Sequence, residues 1–284
     1  MSVAFYKMNG NGNDFVVVDA RARKLKLDAE AARRIGDRHR GVGFDQLLVI
    51  EPADGAGDAV MRIWNPDGSE AGACGNGARC VADLLLNETK AATVTLATKG
   101  GLVACRRTDD GRVSVDMGEP KLEWQEIPLA ERMDTRTIDV KVGPIDAPVL
   151  FGPSAVNMGN PHCIFFVANA GAHDLAKIGP MLEHHPLFPE RANISLAQVK
   201  SKGEIRLRVW ERGAGQTLAC GTAACAATVA AARRRLTDRR VRVELDGGPL
   251  DIEWREDNHV LMTGPTALNF TGELAADYFT DGAP

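Results

Sequence analysis

Arg62-Ile63-Trp64 and, ten positions after that tryptophan, Ala73-Cys74-Gly75-Asn76-Gly77-Ala78 return later in the chain as Arg208-Val209-Trp210 and Ala219-Cys220-Gly221-Thr222-Ala223-Ala224. The offset is 146 residues. To within one residue the same displacement carries Gly12-Asn13 onto Gly159-Asn160, Gln46 onto Asn193, Gly100-Gly101 onto Gly247-Gly248 and Met117-Gly118 onto Thr263-Gly264. Matches in one order at a near-constant spacing define two homologous halves. A period of roughly 140 residues is far too long for a solenoid unit, so each half is expected to be a domain with its own core. Equivalent residues of two such domains are expected to face each other across a cleft, where ligand sites concentrate.

Strands are expected at Phe15-Val16-Val17-Val18, Gln46-Leu47-Leu48-Val49-Ile50, Cys163-Ile164-Phe165-Phe166-Val167 and Ile205-Arg206-Leu207-Arg208-Val209-Trp210, which are rich in β-branched and aromatic residues. Asp28 reads as the N-cap of a helix to about His39, and Asp174 as the start of a poorer helix broken by Gly179-Pro180. The clearest helices begin at the repeated cysteines, Cys74 to about Glu88 and Cys220 to about Leu236. The second ends in Arg233-Arg234-Arg235, read as a solvated end that suits the negative pole of the helix dipole. Each half thus reads as many strands around one prominent helix, an α+β plan.

With 284 residues, 44% of them hydrophobic, the chain can fill such cores, and its net charge of -4 gives no global field for nucleic acid or an anionic membrane. A small molecule is the expected partner. The start MSVAFYKMNGNGNDF has no signal-peptide core and no stretch reaches the roughly 18 apolar residues of a membrane span, so a cytoplasmic protein is expected. Six cysteines without a secretory signal are expected to be reduced, and with no CxxC pair among them no metal is expected. Gly10-Asn11-Gly12-Asn13 is neither a dinucleotide nor a phosphate-loop motif.

A cysteine at a helix N-terminus sits among unsatisfied N–H groups at the positive end of the dipole, which can lower a thiol pKa from ~8.5 toward about 3.5 to 7.5. Gly75 and Gly221 let a ligand approach the backbone, so the same helix start can hold a carboxylate beside the reacting carbon. Inversion at a Cα requires proton removal from one face and delivery from the other, which a thiolate and a thiol on opposing domains supply. The plainer alternative is that both are small buried fillers. Their matched places in the repeat favour chemistry, whereas Cys80, Cys105, Cys163 and Cys225 are read as packing residues.

Taken with their order and spacing, Gly12-Asn13-Asp14-Phe15, Gly43-Phe44-Asp45-Gln46, Asn65-Pro66-Asp67-Gly68-Ser69-Glu70, Ala73-Cys74-Gly75-Asn76-Gly77-Ala78-Arg79, Gly159-Asn160-Pro161-His162, Glu211-Arg212-Gly213-Ala214-Gly215 and Ala219-Cys220-Gly221-Thr222 resemble the motifs of the diaminopimelate epimerase family. The resemblance spans residues 8 to about 264 and leaves a private tail. It implies two pseudo-symmetric domains, each a mostly antiparallel, barrel-like sheet around a central helix. The expected division is 1–118, completed by a strand from 265–284, and 119–264. It also implies epimerisation of LL-diaminopimelate to the meso form, toward lysine and peptidoglycan, with no cofactor. Position by position, it makes Cys74 and Cys220 the acid-base pair, with His162 and Glu211 assisting. Asn13, Gln46, Asn65, Asn160, Asn193, Glu211 and Arg212 become substrate ligands, and Gly75, Asn76, Gly221 and Thr222 helix-start donors to a carboxylate.

The residue chemistry agrees, because a substrate with two ammonium and two carboxylate groups needs amide linings, an arginine fork and a carboxylate. Rival readings are a proline-racemase-like enzyme, whose smaller substrate would not need Arg212 and the asparagine set; a redox pair, disfavoured without CxxC; and a non-catalytic amino-acid-binding protein, which needs no thiol on each side. Trp64 and Trp210 are read as core anchors and His184-His185-Pro186 as a helix end. The oligomeric state is not fixed by sequence; a homodimer is the working expectation.

Overall fold

The computed structural model describes residues 2–279. The chain divides into two compact units, Met1–Val115 with Gly264–Pro284, and Asp116–Thr263.

The first unit opens with β1 (Val3–Gly10) and β2 (Asn13–Asp19), an antiparallel hairpin. Asn11 (φ 57°) and Gly12 (φ 81°) form its two-residue turn, a left-handed pair that an Asn-Gly sequence adopts at low cost. Helix α1 (Ala29–Gly36) follows, capped by the Asp28 carboxylate, which accepts the N–H groups of Glu30 and Ala31. It brings β3 (Gln46–Glu51) back parallel to β2, and β4 (Ala59–Trp64) and the short β5 (Glu70–Ala71) continue antiparallel. Helix α2 (Gly75–Thr89) then crosses to β6 (Thr93–Thr98), parallel to β4, and β7 (Gly101–Arg107) and β8 (Val113–Asp116) close the meander.

In the second unit a two-stranded ribbon, β9 (Lys141–Val142) and β10 (Leu150–Phe151), precedes the main sheet. The order then repeats as β11 (Ser154–Asn157), β12 (Pro161–Phe166), α3 (Leu175–Glu183), β13 (Asn193–Ser201), β14 (Glu204–Glu211), β15 (Gly215–Thr217), α4 (Gly221–Arg233), β16 (Arg240–Leu245), β17 (Gly248–Trp254) and β18 (Val260–Gly264). Every pairing has the sense of its counterpart: β12 with β13 and β14 with β16 are parallel, the rest antiparallel. The sequence repeat is therefore a repeat of topology. The chain returns to the first unit with β19 (Ala267–Leu274), antiparallel to β1, and a 3-10 turn at Ala276–Phe279. The end of the private tail, 280–284, lies outside the described residues.

Each unit wraps its sheet around its second helix. In α4 every residue from Ala223 to Ala231 is buried, against Val156, Ile164, Leu207, Val243, Ile252 and Met262 among others. A helix apolar all round must be central, and alanine lets strands approach it from several sides. In α2 the buried set is Asn76 to Ala82 with Leu85 and Leu86, and it includes the wholly buried Arg79.

Local expectations need correction in four places. Helix α1 ends at Gly36, and α4 at Arg233, just before the left-handed Arg235 (φ 59°). Helix α3 is not broken by Gly179-Pro180 but runs through both to Glu183. A Cβ on Gly179 would lie 2.5 Å from the Trp210 ring, so the glycine is there for contact, not to end the helix. The arginine run is only partly solvated: Arg233 donates to the Thr135 hydroxyl at 3.0 Å, Arg234 to the Gly152 carbonyl at 3.2 Å while covering Phe166, and only Arg235 is exposed.

Candidate active site

The expected residues fall into two groups, one per unit. In the first unit, Cys74 is the N-cap of α2, with extended backbone (φ -152°, ψ 103°), and its half-buried Sγ accepts the Gly77 N–H at 3.3 Å. Gly75 and Asn76 supply the first turn; the Asn76 side-chain oxygen is occupied by Arg79 at 3.0 Å. A Cβ on Gly77 would meet both Leu48 methyls at 3.0 Å, so this helix start is pressed against β3 close to Gln46. Gln46 donates Nε2 to Asn65 Oδ1 at 3.1 Å, and Asn65 donates Nδ2 to the Ser69 hydroxyl at 3.0 Å. The Gln46 Oε1 is buried and meets no hydrogen-bond donor among the described residues, an acceptor available to a ligand. Asn13, at the start of β2, donates to Asp45 at 2.8 Å. Asn13, Gln46 and Asn65 thus share one end of the sheet with the α2 start.

The polarity of these amides is fixed by carboxylates, which only accept. Ser69 donates to Asp67 at 2.6 Å, so its oxygen accepts from Asn65, Asn65 accepts from Gln46, and the outermost atom is a carbonyl oxygen. Asp45 fixes Asn13 in the same way and is itself held by Arg38 at 2.9 Å.

In the second unit, Cys220 is the N-cap of α4, with Sγ 3.5 Å from the Thr222 hydroxyl, and Gly221 opens the helix. Glu211, at the end of β14, accepts from the Thr217 hydroxyl. The helix-start argument predicts a lowered thiol pKa, and for Cys220 it fails. Burial, and then the Glu211 carboxylate, push this thiol well above its usual range. The magnitudes explain the outcome, since a helix terminus contributes at most about 2 kcal/mol whereas full burial moves a pKa by up to 3–5 units. Cys220 is a protonated thiol at neutral pH.

His162 is fully buried on β12, and desolvation, assisted by Arg212, brings its pKa down to about 3. It is a neutral imidazole whose Nε2 is 2.8 Å from Asn160 Oδ1, with Nδ1 buried and meeting no partner among the described residues. Asn193 pairs with His162 across β12 and β13. It donates to the Pro161 carbonyl at 3.0 Å and accepts the Arg212 N–H at 2.9 Å, so here it braces the chain. Arg212 donates NH1 to the Glu190 carbonyl at 2.8 Å and is otherwise exposed.

Sequence reading missed Asp45, Ser69 and Arg79, although all three lie inside the quoted motifs, and it missed Glu183, which no motif marks. Among the described residues, no group of three or more His, Cys, Asp or Glu could hold a metal ion, and no helix is long and apolar enough to cross a membrane.

The fold is that of a class that includes racemases and epimerases. The chain resembles the solved structure of a phenazine biosynthesis protein of the PhzF family from Bacillus anthracis, with a TM-score of 0.68 and 16% identity over 97% of this chain and 99% of that one. It resembles equally a probable proline racemase from Agrobacterium radiobacter, with a TM-score of 0.67 and 17% identity over 98% and 94%. The sequence model of diaminopimelate epimerase matches residues 5–123 and 154–268, and a diaminopimelate epimerase of Methylorubrum populi is 56% identical across 97% of this chain and 96% of its own. The chain belongs to the diaminopimelate epimerase family, and with it to the isomerases.

Proposed function

We propose that this enzyme converts LL-2,6-diaminopimelate to meso-diaminopimelate by proton exchange between Cys74 and Cys220, without pyridoxal phosphate, in lysine and peptidoglycan-precursor biosynthesis. The observation that carries the reading is that each unit caps its buried central helix with a cysteine, at matching places in the repeat.

The different surroundings of the two sulfurs support a direction. Cys220 is held as a thiol by burial and by Glu211, whereas Cys74 is half-exposed and receives an N–H. In this direction Cys74 serves as the base and Cys220 as the acid. The Cα–H bond breaks, its proton passes to Cys74 Sγ, and the electron pair is held on the carbanion and its carboxylate. The Cys220 proton then bonds to the opposite face, leaving Cys220 as thiolate and Cys74 as thiol; loss of the Cys74 proton to solvent and uptake of one by Cys220 restore the start for the next turnover. Backbone N–H groups of Gly75, Asn76, Gly221 and Thr222 bind the carboxylate on the reacting carbon. The outward carbonyls of Asn13 and Gln46 suit an ammonium, and Asn65, Asn160, Asn193, Glu211 and Arg212 serve the distal amino-acid group. His162, neutral, assists only by accepting a hydrogen bond. The chemistry needs free thiols, which fits a cytoplasmic location.

The test is incubation with LL-diaminopimelate in deuterated water without pyridoxal phosphate. The expected product is meso-diaminopimelate with one solvent deuterium at the inverted carbon. Inversion that requires added pyridoxal phosphate, or that survives intact in Cys74→Ala, sinks the mechanism.

A further inference from the structure

The two tryptophans of the repeat sit in different settings. Trp210, one residue before Glu211, donates its indole N–H to Glu183 Oε2 at 2.7 Å. Trp64, its counterpart before Asn65, is buried with its indole nitrogen meeting no acceptor among the described residues. Glu183 is the last residue of α3; its side chain is 5% exposed, and its other oxygen, Oε1, accepts the Gly213 N–H at 3.1 Å, with Arg191 3.6 Å away. One buried carboxylate therefore grips the backbone or side chain on both sides of Glu211-Arg212.

The turns that follow the tryptophans explain why only one needs such a grip. Asn65-Pro66-Asp67-Gly68-Ser69 is internally braced: Asn65 N–H donates to Ser69 O at 2.8 Å, Gly68 N–H to Asn65 O at 3.0 Å and Ser69 N–H to Asp67 at 2.8 Å, and Pro66 fixes its own φ. Glu211-Arg212-Gly213-Ala214-Gly215 has two glycines, both at positive φ (76° and 85°); Glu211 pairs with Gly215 across the hairpin, and the Ala214 N–H donates to Glu211 O at 3.1 Å. A glycine-rich turn is entropically loose. It is held from outside, by Asn193 on the Arg212 N–H and by Glu183 on either flank.

We infer that Glu183 is a positioning residue for substrate binding: from the end of α3 it clamps the turn that presents Glu211 and Arg212. The inference rests on the proposed role of that pair. Glu183 touches no reacting atom, so its loss acts on KM more than on kcat.

Glu183→Gln tests it with little change of shape, because an amide has one acceptor oxygen and must turn its NH2 toward either the indole or the Gly213 N–H. Hydrogen exchange read by mass spectrometry is expected to speed up about tenfold or more in 211–215 while 65–69 is unaffected, and KM for diaminopimelate to rise about tenfold with kcat nearly constant. Trp210→Phe, which removes one of the clamped donors, is expected to raise KM likewise; Trp64→Phe, which removes a donor with no acceptor, raises it less. Unchanged exchange in 211–215 overturns the clamp. Faster exchange with unchanged KM overturns its role in binding. If the wild-type protein does not epimerise diaminopimelate, the proposed function falls, while the exchange experiment still judges the clamp.

Discussion

Cys74 and Cys220 occupy equivalent helix caps, yet position in the dipole does not decide the state of Cys220. Desolvation does, because Cys220 is enclosed and faces a carboxylate, whereas Cys74 keeps partial access to solvent. Iodoacetamide near pH 7.5 should therefore modify Cys74 faster than Cys220 by about tenfold or more, the ratio that one pKa unit produces. Cys80, pushed up to about 12 by burial, and Cys163, raised by complete burial, should also react more slowly than Cys74. Glu211→Gln removes the negative charge that opposes the Cys220 thiolate, so the Cys220 pKa should fall and its alkylation quicken. Timed peptide mapping between pH 6 and 10 decides this; equal rates at the two cysteines would contradict the base and acid roles assigned to them. The candidates for the site were legible because the repeat singles out Cys74, Cys220, Asn13, Asn160, Gln46 and Asn193 with no reference to structure. Their protonation was not, since burial by chain distant in sequence leaves no local pattern.

Helix α3 shows a local rule giving way to packing. Gly179-Pro180 reads as a break, but the helix continues, with Trp210 pressed onto Gly179. Gly179→Ala raises intrinsic helix propensity by about 1 kcal/mol. The new Cβ would lie 2.5 Å from Trp210 Cγ and Cδ2, a fixed ring and not a flexible chain end. Overpacking of this kind costs about 1–3 kcal/mol, so it wins or at least cancels the gain. Net destabilisation of about 1 kcal/mol is expected by urea unfolding; a stabilised variant would show that Trp210 moves aside freely. The strands at Phe15–Val18 and Gln46–Ile50 and the starts of α2 and α4 were legible, because apolar runs and caps are written locally. Glu183 was not legible as a clamp, because its partners Trp210 and Gly213 lie 27 and 30 residues away.

At the scale of the molecule, the two units differ in continuity. The second is built from one uninterrupted stretch, Asp116–Thr263, while the first needs Gly264–Pro284 to return from the far end of the chain. Strand β19 pairs with β1 from Val3↔Leu274 to Asn9↔Ala267, and it delivers Leu274 to a core containing Val3, Phe5, Val16 and Val18. Removing 265–284 exposes the edge of β1 and that core. Lost backbone hydrogen bonds at about 0.5–1.5 kcal/mol each, with a buried leucine at about 1.5–3 kcal/mol, exceed roughly 5 kcal/mol together. That loss is comparable to the whole stability of an ordinary domain, about 5–15 kcal/mol. The truncated chain should therefore lose hydrogen-exchange protection throughout 2–115 and keep it in 116–263, whose cores around α4 and α3 include, among the described residues, none of the deleted segment. Activity should disappear, because Cys74, Gln46 and Asn65 sit in the unit that unfolds. Uniform loss of protection over both stretches would mean that the units do not fold separately, and full protection of 2–115 would mean that β19 is dispensable to the sheet it completes.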